Sequence, residues 1–338
     1  MIGSDSSMEN TKRKILVTEA LPLFEEERQI LSKYASVELA HSISEESLAA
    51  EIASADVLMV VYAKITERII NSGKHLKGIV RYGIGTDNVD VEAATKKRIP
   101  VTNVPDYCIR TVADHTMALL LTLTRKIIIA NQVTKNGDWS IWASPSNKLM
   151  GLDLEGKTLG LIGAGKIGMA VAERAKGFQM KVKAYDPYLS AEQANKLQIE
   201  LVRLDTLLKE SDVISIHSPL TPETKGMIGE RELSQMKKTA YLINTSRGAV
   251  INEAALCKAL KDGWIAGAGL DVYEKEPPDT QNALFKLENV VLTPHISYYT
   301  QEATRRLEMS AVKKAIQILN GEIPENLVNP GILQGQKT

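Results

Sequence analysis

The sequence has little cysteine, no excess of charge of either sign and no long apolar run. Only two cysteines occur in 338 residues, Cys108 and Cys257, far apart and outside any CxxC or Cys/His spacing. That excludes a disulfide scaffold and a zinc motif, so no metal is expected, and two isolated thiols fit a reduced, cytoplasmic setting. Lysine plus arginine and aspartate plus glutamate both total 41, giving a formal net charge of zero. Such a chain has no global electrostatic reason to seek nucleic acid or an anionic membrane. The most apolar helical stretch, 117–123, falls far short of the ~20 residues that span a bilayer. Residues 1–14 are polar and serine-rich without the apolar core of a signal peptide, and 1–13 are read as a disordered leader. With 44% hydrophobic and 24% charged residues, the composition is that of an ordinary globular protein long enough for two domains. It contains no convincing internal repeat or low-complexity tract.

What is present is organised around TLGLIGAGKIG at 158–168. Apolar residues Leu159, Leu161 and Ile162 read as a buried strand, followed by Gly163, Gly165 and Gly168 in GxGxxG spacing, with a helix from about Lys166. The first glycine permits a tight turn, the second lets the main chain approach a pyrophosphate, and the third lets helix pack on strand. Glycine triples also arise in ordinary turns, but here a second apolar segment, 180–185, ends in Asp186. That is about the separation at which an acidic residue accepts hydrogen bonds from an adenosine ribose. An aspartate there repels a 2'-phosphate, so NAD is expected rather than NADP; the bland alternative is that Asp186 only starts the turn with Pro187.

Ahead of the glycine motif, short apolar strands at 15–17, 37–40, 56–61, 78–82 and 101–103 alternate with amphipathic segments such as 23–34 and 44–53. The pattern predicts a parallel sheet with helices on both faces. A helix is expected over 111–133, with Val112, Leu119, Leu120, Leu123 and Ile127 on an apolar face that one domain does not obviously cover. That surplus suggests a homodimer. After Gly168, strands are expected at 212–217, 240–245, 265–271 and 290–293, and a helix over 253–261 between Asn252 and Gly263. A last helix, about 301–319, has no strand after it and is expected to return to the first sheet. The fold class is therefore α/β, with two doubly wound parallel-sheet domains: a Rossmann NAD-binding domain, 108–301, inserted into a flavodoxin-like substrate domain, 14–107 and 302–332.

Ligands of open α/β sheets bind beyond the C-terminal strand ends. Such ends carry His217, Arg247, Asp271 and His295. Arg247, after the strand 240–243, could grip a carboxylate through two parallel hydrogen bonds and polarise an adjacent carbonyl, or could be a solvated surface arginine. Were Glu276 and His295 to meet, the carboxylate would orient the imidazole and stabilise its charged form, giving an acid/base for a ketone receiving hydride. A lone histidine is more often structural, and Glu276-Pro277-Pro278 could equally be a loop tip.

Five ordered signatures carry a resemblance: LEGKTLGLIGAGKIG, HSPLTPET at 217–224, LINTSRGAVINEAAL at 242–256, GLDVYEKEP at 269–277 and LTPHI at 292–296. Over nearly its whole length the chain resembles the NAD-dependent D-isomer-specific 2-hydroxyacid dehydrogenase family. The resemblance implies Arg247, Glu276 and His295 as the catalytic set, with His295 as acid/base. It implies Asp271 near the nicotinamide carboxamide, and Lys166, Ile167, Asp186 and Thr245 along the cofactor. RYGIGTDN at 81–88 looks like the family loop whose amides receive the substrate carboxylate, with Ile84 and Gly85 as donors, although a glycine-rich turn without ligand fits too. VPDYCIRTVADH at 104–115 looks closest to the branch that includes the C-terminal binding proteins, so an NADH-sensing regulator is the alternative to an enzyme. Where phosphoglycerate dehydrogenases carry an Arg-Ser pair, this chain has Val60-Val61, then Tyr62, Ala63 and Lys64, and no further regulatory domain is expected after the last helix. A phosphorylated acid is therefore not favoured over glyoxylate, hydroxypyruvate or a larger 2-oxo acid, although it stays open because Lys64 could stand in part for the missing pair.

Overall fold

The computed structural model describes residues 13–140 and 148–333. Apart from Arg13, the leader read at 1–13 lies outside the described residues. The chain divides into two compact units, one running to Cys108 and resuming at Thr300, the other formed by Ile109–Tyr299. In the first lie β1 (Lys14–Val17), α1 (Phe24–Leu31), β2 (Ser36–Leu39), α2 (Glu45–Glu51), β3 (Val57–Val60), α3 (Glu67–Ser72), β4 (Gly78–Arg81), α4 (Val91–Lys96) and β5 (Val101–Thr102). The second holds α5 (Ile109–Thr124), α6 (Ile127–Lys135), β6 (Thr158–Ile162), α7 (Lys166–Gly177), β7 (Lys181–Tyr185), α8 (Ala191–Lys196), β8 (Glu200–Leu201), α9 (Leu204–Glu210), β9 (Val213–Ile216), α10 (Glu230–Gln235), β10 (Tyr241–Asn244), α11 (Glu253–Lys261), β11 (Gly267–Leu270) and β12 (Val290–Leu292). Helix α12 (Gln301–Leu319) belongs to the first unit.

The first sheet is parallel throughout, in the order β2-β1-β3-β4-β5. All four residues of β3 are buried, as a parallel strand covered on both faces requires. Helix α12 starts at a Thr300 cap, whose hydroxyl accepts the Ala303 amide, and returns onto this sheet. Its Ile318 lies so close to β4 that a Cβ on Gly78 would stand 2.7 Å from the isoleucine Cδ1. The second sheet is also parallel, in the order β12-β11-β10-β9-β6-β7-β8. Its strand order reverses between β6 and β9, and that of the first sheet between β1 and β3. These switch points open crevices at C-terminal strand ends.

Two expectations need correcting. The helix expected over 111–133 is two helices, because Lys126 takes a left-handed conformation (φ 56°) between α5 and α6. The apolar face does not lie bare either: Val112, Leu119, Leu120 and Leu123 are 1–5% exposed. Leu119, Leu120 and Leu123 join the core of the second unit, and Leu119 Cβ would stand 3.0 Å from a Cβ on Gly269 of β11. A glycine in the sheet lets α5 settle there, so the partner is the chain's own. Only Ile127, turned away by the break, remains 53% exposed. Strand β8 went unforeseen because two residues carry no periodicity.

The first unit buries two carboxyl groups. Glu27 of α1 and Glu308 of α12 are 1% and 0% exposed; Tyr82 donates its hydroxyl to both Glu27 oxygens at 3.0 and 2.9 Å, and Glu308 accepts the Leu23 amide at 3.0 Å. Burial, then the Glu308 charge, raises Glu27 to about 8, and burial raises Glu308 to about 7. Glu26, which also faces Glu308, is paired with Arg305 at 2.9 Å. Folded values above the ordinary carboxylate value of 4.5 mean that the fold gains stability below about that pH and loses it as pH climbs through 7 to 8. Thermal melting of the wild type should fall between pH 5 and pH 9. Glu27→Gln, which keeps an acceptor for Tyr82, should flatten that fall by several degrees; an equally steep fall in the variant would show that the pair does not carry it.

Candidate active site

At the switch point of the second sheet the loop after β6 meets the loop after β9. Gly163 turns there with φ +90°, and a Cβ on it would stand 2.8 Å from the His217 carbonyl carbon and the Ser218 amide. A Cβ on Gly168 would run into the Gly163 carbonyl, so α7 packs against the turn only because that residue is glycine. Gly165 differs: a Cβ there would meet nothing within 4 Å, and Gly165 offers α7 no side-chain cap. The first-turn amides of α7, at Lys166 and Ile167, therefore begin a positive helix end beside open space.

Asp186, at the end of β7, accepts the Ala164 amide on Oδ2 and the Tyr188 amide on Oδ1, both at 2.8 Å. It holds the glycine loop as well as its own turn. Burial pushes the His217 imidazole down to about 3, so the ring is neutral; Nε2 lies 2.8 Å from the Ser215 hydroxyl, while Nδ1 has no hydrogen-bond partner. The Ser218 hydroxyl is likewise buried without a partner. These orphaned polar atoms beside the glycine turn, with the empty volume at Gly165, suit a dinucleotide. Thr245, also on the expected cofactor path, bonds Thr116 of α5 through its hydroxyl at 2.9 Å.

The residues expected to do chemistry lie on three neighbouring loops. Arg247 follows β10 in an extended conformation, and its Nη1 donates to the Ser246 carbonyl at 2.8 Å. Fully buried Asn244 staples this turn, donating to the Arg247 carbonyl at 2.9 Å and accepting the Ser246 amide at 3.0 Å. A Cβ on Gly248 would land on the main chain of Tyr273, so the Arg247 turn lies in van der Waals contact with the loop leading to Glu276. On that loop Glu276 accepts the Tyr273 amide on Oε1 at 3.0 Å and meets His295 Nδ1 on Oε2 at 2.6 Å. The histidine and the glutamate side chains remain 30% and 35% exposed, reachable from solvent.

Asp271 explains how His295 is held. Its carboxyl is fully buried, with Oδ1 accepting the Thr293 hydroxyl at 2.6 Å and the Ile296 amide at 2.9 Å, and Oδ2 accepting the Ser297 amide at 2.8 Å. The Asp271 carbonyl accepts the His295 amide at 2.7 Å. His295 has φ 55°, a left-handed conformation costing a non-glycine residue about 1–2 kcal/mol, and these bonds sustain it. Because the single Thr293 proton goes to Asp271, the 3.0 Å contact between His115 Nε2 and the Thr293 oxygen requires the imidazole to donate. The sequence reading missed Asn244, Gly248, Thr293 and His115; the first two stand in the quoted signature around Arg247, whereas nothing local to His115 signals a link across 178 residues.

Residues 117–297 match the profile described as D-isomer specific 2-hydroxyacid dehydrogenase, NAD binding domain. The chain belongs to the D-isomer-specific 2-hydroxyacid dehydrogenase family. It is 44% identical over 328 residues to a glyoxylate reductase of Thermococcus litoralis, covering 95% of this chain and 98% of the relative. It is 43% identical over 324 residues to a D-3-phosphoglycerate dehydrogenase of Methanocaldococcus jannaschii, covering 95% of this chain and 60% of that longer protein. The crystal structure of a D-lactate dehydrogenase from Aquifex aeolicus, complexed with NAD and lactic acid, superposes with a TM-score of 0.86 at 32% identity, covering 94% of this chain and 99% of the other. This member of the family is accordingly an NAD-binding oxidoreductase acting on 2-hydroxy acids, and the regulator reading gains no support from these relatives. No helix among the described residues is long and apolar enough to cross a membrane.

The glycines make a test. Gly165→Val fills empty volume and should leave the melting temperature nearly unchanged while weakening NADH at least about tenfold, as read by fluorescence titration. Unimpaired binding in a folded variant would place the dinucleotide elsewhere.

Proposed function

We propose that the protein reduces a small 2-oxo acid to the D-2-hydroxy acid, with His295 as proton donor, Glu276 orienting it and Arg247 binding the substrate. The observation that carries this reading is the 2.6 Å contact between His295 Nδ1 and Glu276, on loops packed against the Arg247 turn. NADH, when bound, supplies the hydride to the carbonyl carbon. With Nδ1 committed to Glu276, the proton leaves His295 from Nε2, and the carbonyl oxygen receives it as negative charge grows there. The guanidinium of Arg247 binds the substrate carboxylate and draws electron density from the adjacent carbonyl. In the first unit, the Ile84 and Gly85 amides are the proposed second carboxylate donors; Asn103 fixes that loop by donating to the Ile84 carbonyl at 2.6 Å.

For the cofactor, the Gly163, Gly165 and Gly168 turn takes the pyrophosphate against Lys166 and Ile167, and Asp186 faces the ribose, favouring NAD over NADP by charge. The orphaned atoms of His217 and Ser218 are further polar contacts for the dinucleotide, with Asp271 near the nicotinamide carboxamide and Thr245 along the cofactor. We further place the protein in the cytoplasm as a homodimer, supported now by the exposed Ile127, Ile128 and Trp139 on and after α6.

Loss of NADH absorbance with a panel of 2-oxo acids checks the reaction class. His295→Ala should lower kcat by roughly 100-fold or more, and Arg247→Ala should impair KM and kcat together while sparing NADH binding. Wild-type rates in both variants would remove the assigned roles. NADPH should be used with kcat/KM at least about tenfold below that of NADH, given the Asp186 charge; equal use would refute the ribose assignment.

A further inference from the structure

The switch point of the first sheet lies between β1 and β3, and its C-terminal ends carry Thr18-Glu19 and Val61-Tyr62. Free main-chain amides in such a crevice make an anion site. Here the chain fills it with its own anion. Glu19 Oε1 accepts the Tyr62 amide at 3.1 Å, Oε2 accepts the Val61 amide at 3.3 Å, and the Thr18 hydroxyl bonds Oε2 as well. The Val61 amide is also met by the Thr18 oxygen at 3.1 Å.

The same edge holds the loop with the proposed carboxylate donors. Asn88, in the Gly83 to Asn88 loop, donates to the Val61 carbonyl at 3.2 Å and the Ala63 carbonyl at 3.0 Å, tying the Ile84–Gly85 loop to the one that Glu19 caps. The Ile84–Gly85 loop and the Glu19 carboxylate thus share one strand-end edge, on which the Val61 and Tyr62 amides are already engaged; Arg81, at the start of the Ile84–Gly85 loop, is turned back onto its own main chain, its Nη1 donating to the Tyr82 carbonyl. Lys64 is the cation on this loop, but it is solvent-exposed, where its charge is screened. Val61 is buried and brings no charge.

We infer that Glu19 is a specificity-determining residue that excludes 2-oxo acids carrying a second anionic group and confines the enzyme to small acids with an uncharged far end. The inference rests on the 2-oxo acid reading above. It follows from the discrimination open to a polar edge on which Glu19 is half-buried: a second anion meets like charge and finds its hydrogen-bond donors already engaged.

The test compares glyoxylate with 3-phosphohydroxypyruvate in NADH-dependent reduction. In the wild type, kcat/KM for the phosphorylated acid should be at least about tenfold below that for glyoxylate, and Glu19→Gln should raise the ratio of the two about tenfold. Glu19→Ala, which releases the Tyr62 amide and leaves the Val61 amide to Thr18, should raise it at least as much. Glu25→Gln removes an equal charge from an exposed site on α1 and should leave it unchanged. A wild type equally efficient on both acids overturns the exclusion while leaving the oxidoreductase reading intact. An unchanged ratio in a folded Glu19→Gln, checked by melting, shows that the carboxylate only supports the loop. Absence of turnover with any 2-oxo acid overturns the reading and this inference with it.

Discussion

Asp271 is the constraint on which the second unit's chemistry depends. Buried at the end of β11, it gathers the Thr293 hydroxyl and the Ile296 and Ser297 amides on its carboxylate, and the His295 amide on its carbonyl. Leaving so many donors unmet in the interior would cost about 1–3 kcal/mol each, more than the strain of one left-handed residue. The turn is thereby fixed, and His295 projects toward Glu276 instead of following the strand. An imidazole placed by main-chain bonds loses little entropy when it works, which is the advantage of preorganisation.

The same economy runs through the rest of the unit. Gly248 removes a side chain so that the Arg247 turn can touch the loop leading to Glu276, and Gly168 does so for α7 against the Gly163 turn. Gly165 alone among the motif glycines leaves space that the protein does not refill. Buried His217 is neutral and has an idle nitrogen. Paired His295 is partly open to solvent. Two histidines, after β9 and after β12 of one sheet, are thus separated in role by burial and by partner.

Much of this was legible in the sequence. Caps at Ser44 and Asn252 and the positive-φ stop at Gly263 mark helix limits through local hydrogen bonds and sterics, so α2 and α11 fall where residue types alone put them. The Glu276 and His295 pair was expected as a possibility and is present. The break at Lys126 was not legible, since neither glycine nor proline marks it, and neither was the burial of α5, which depends on a glycine some 150 positions away in β11. Asp271 suggested a ligand contact by resemblance; its visible work on the His295 turn is tertiary, joining residues that no local pattern connects. Glu19 likewise reads as an ordinary acidic residue until the strand order sets it beside Val61 and Tyr62.

The account stands on His295 giving its proton from Nε2 while Glu276 keeps Nδ1. A crystal structure with NADH and oxamate, an unreactive 2-oxo acid analogue, measures this directly. The expected result is His295 Nε2 within about 2.6–3.2 Å of the oxamate carbonyl oxygen that mimics the keto group, with Glu276 still on Nδ1 and Arg247 on the carboxylate. Oxamate bound with that oxygen out of reach of His295, or with the imidazole parted from Glu276, would contradict it.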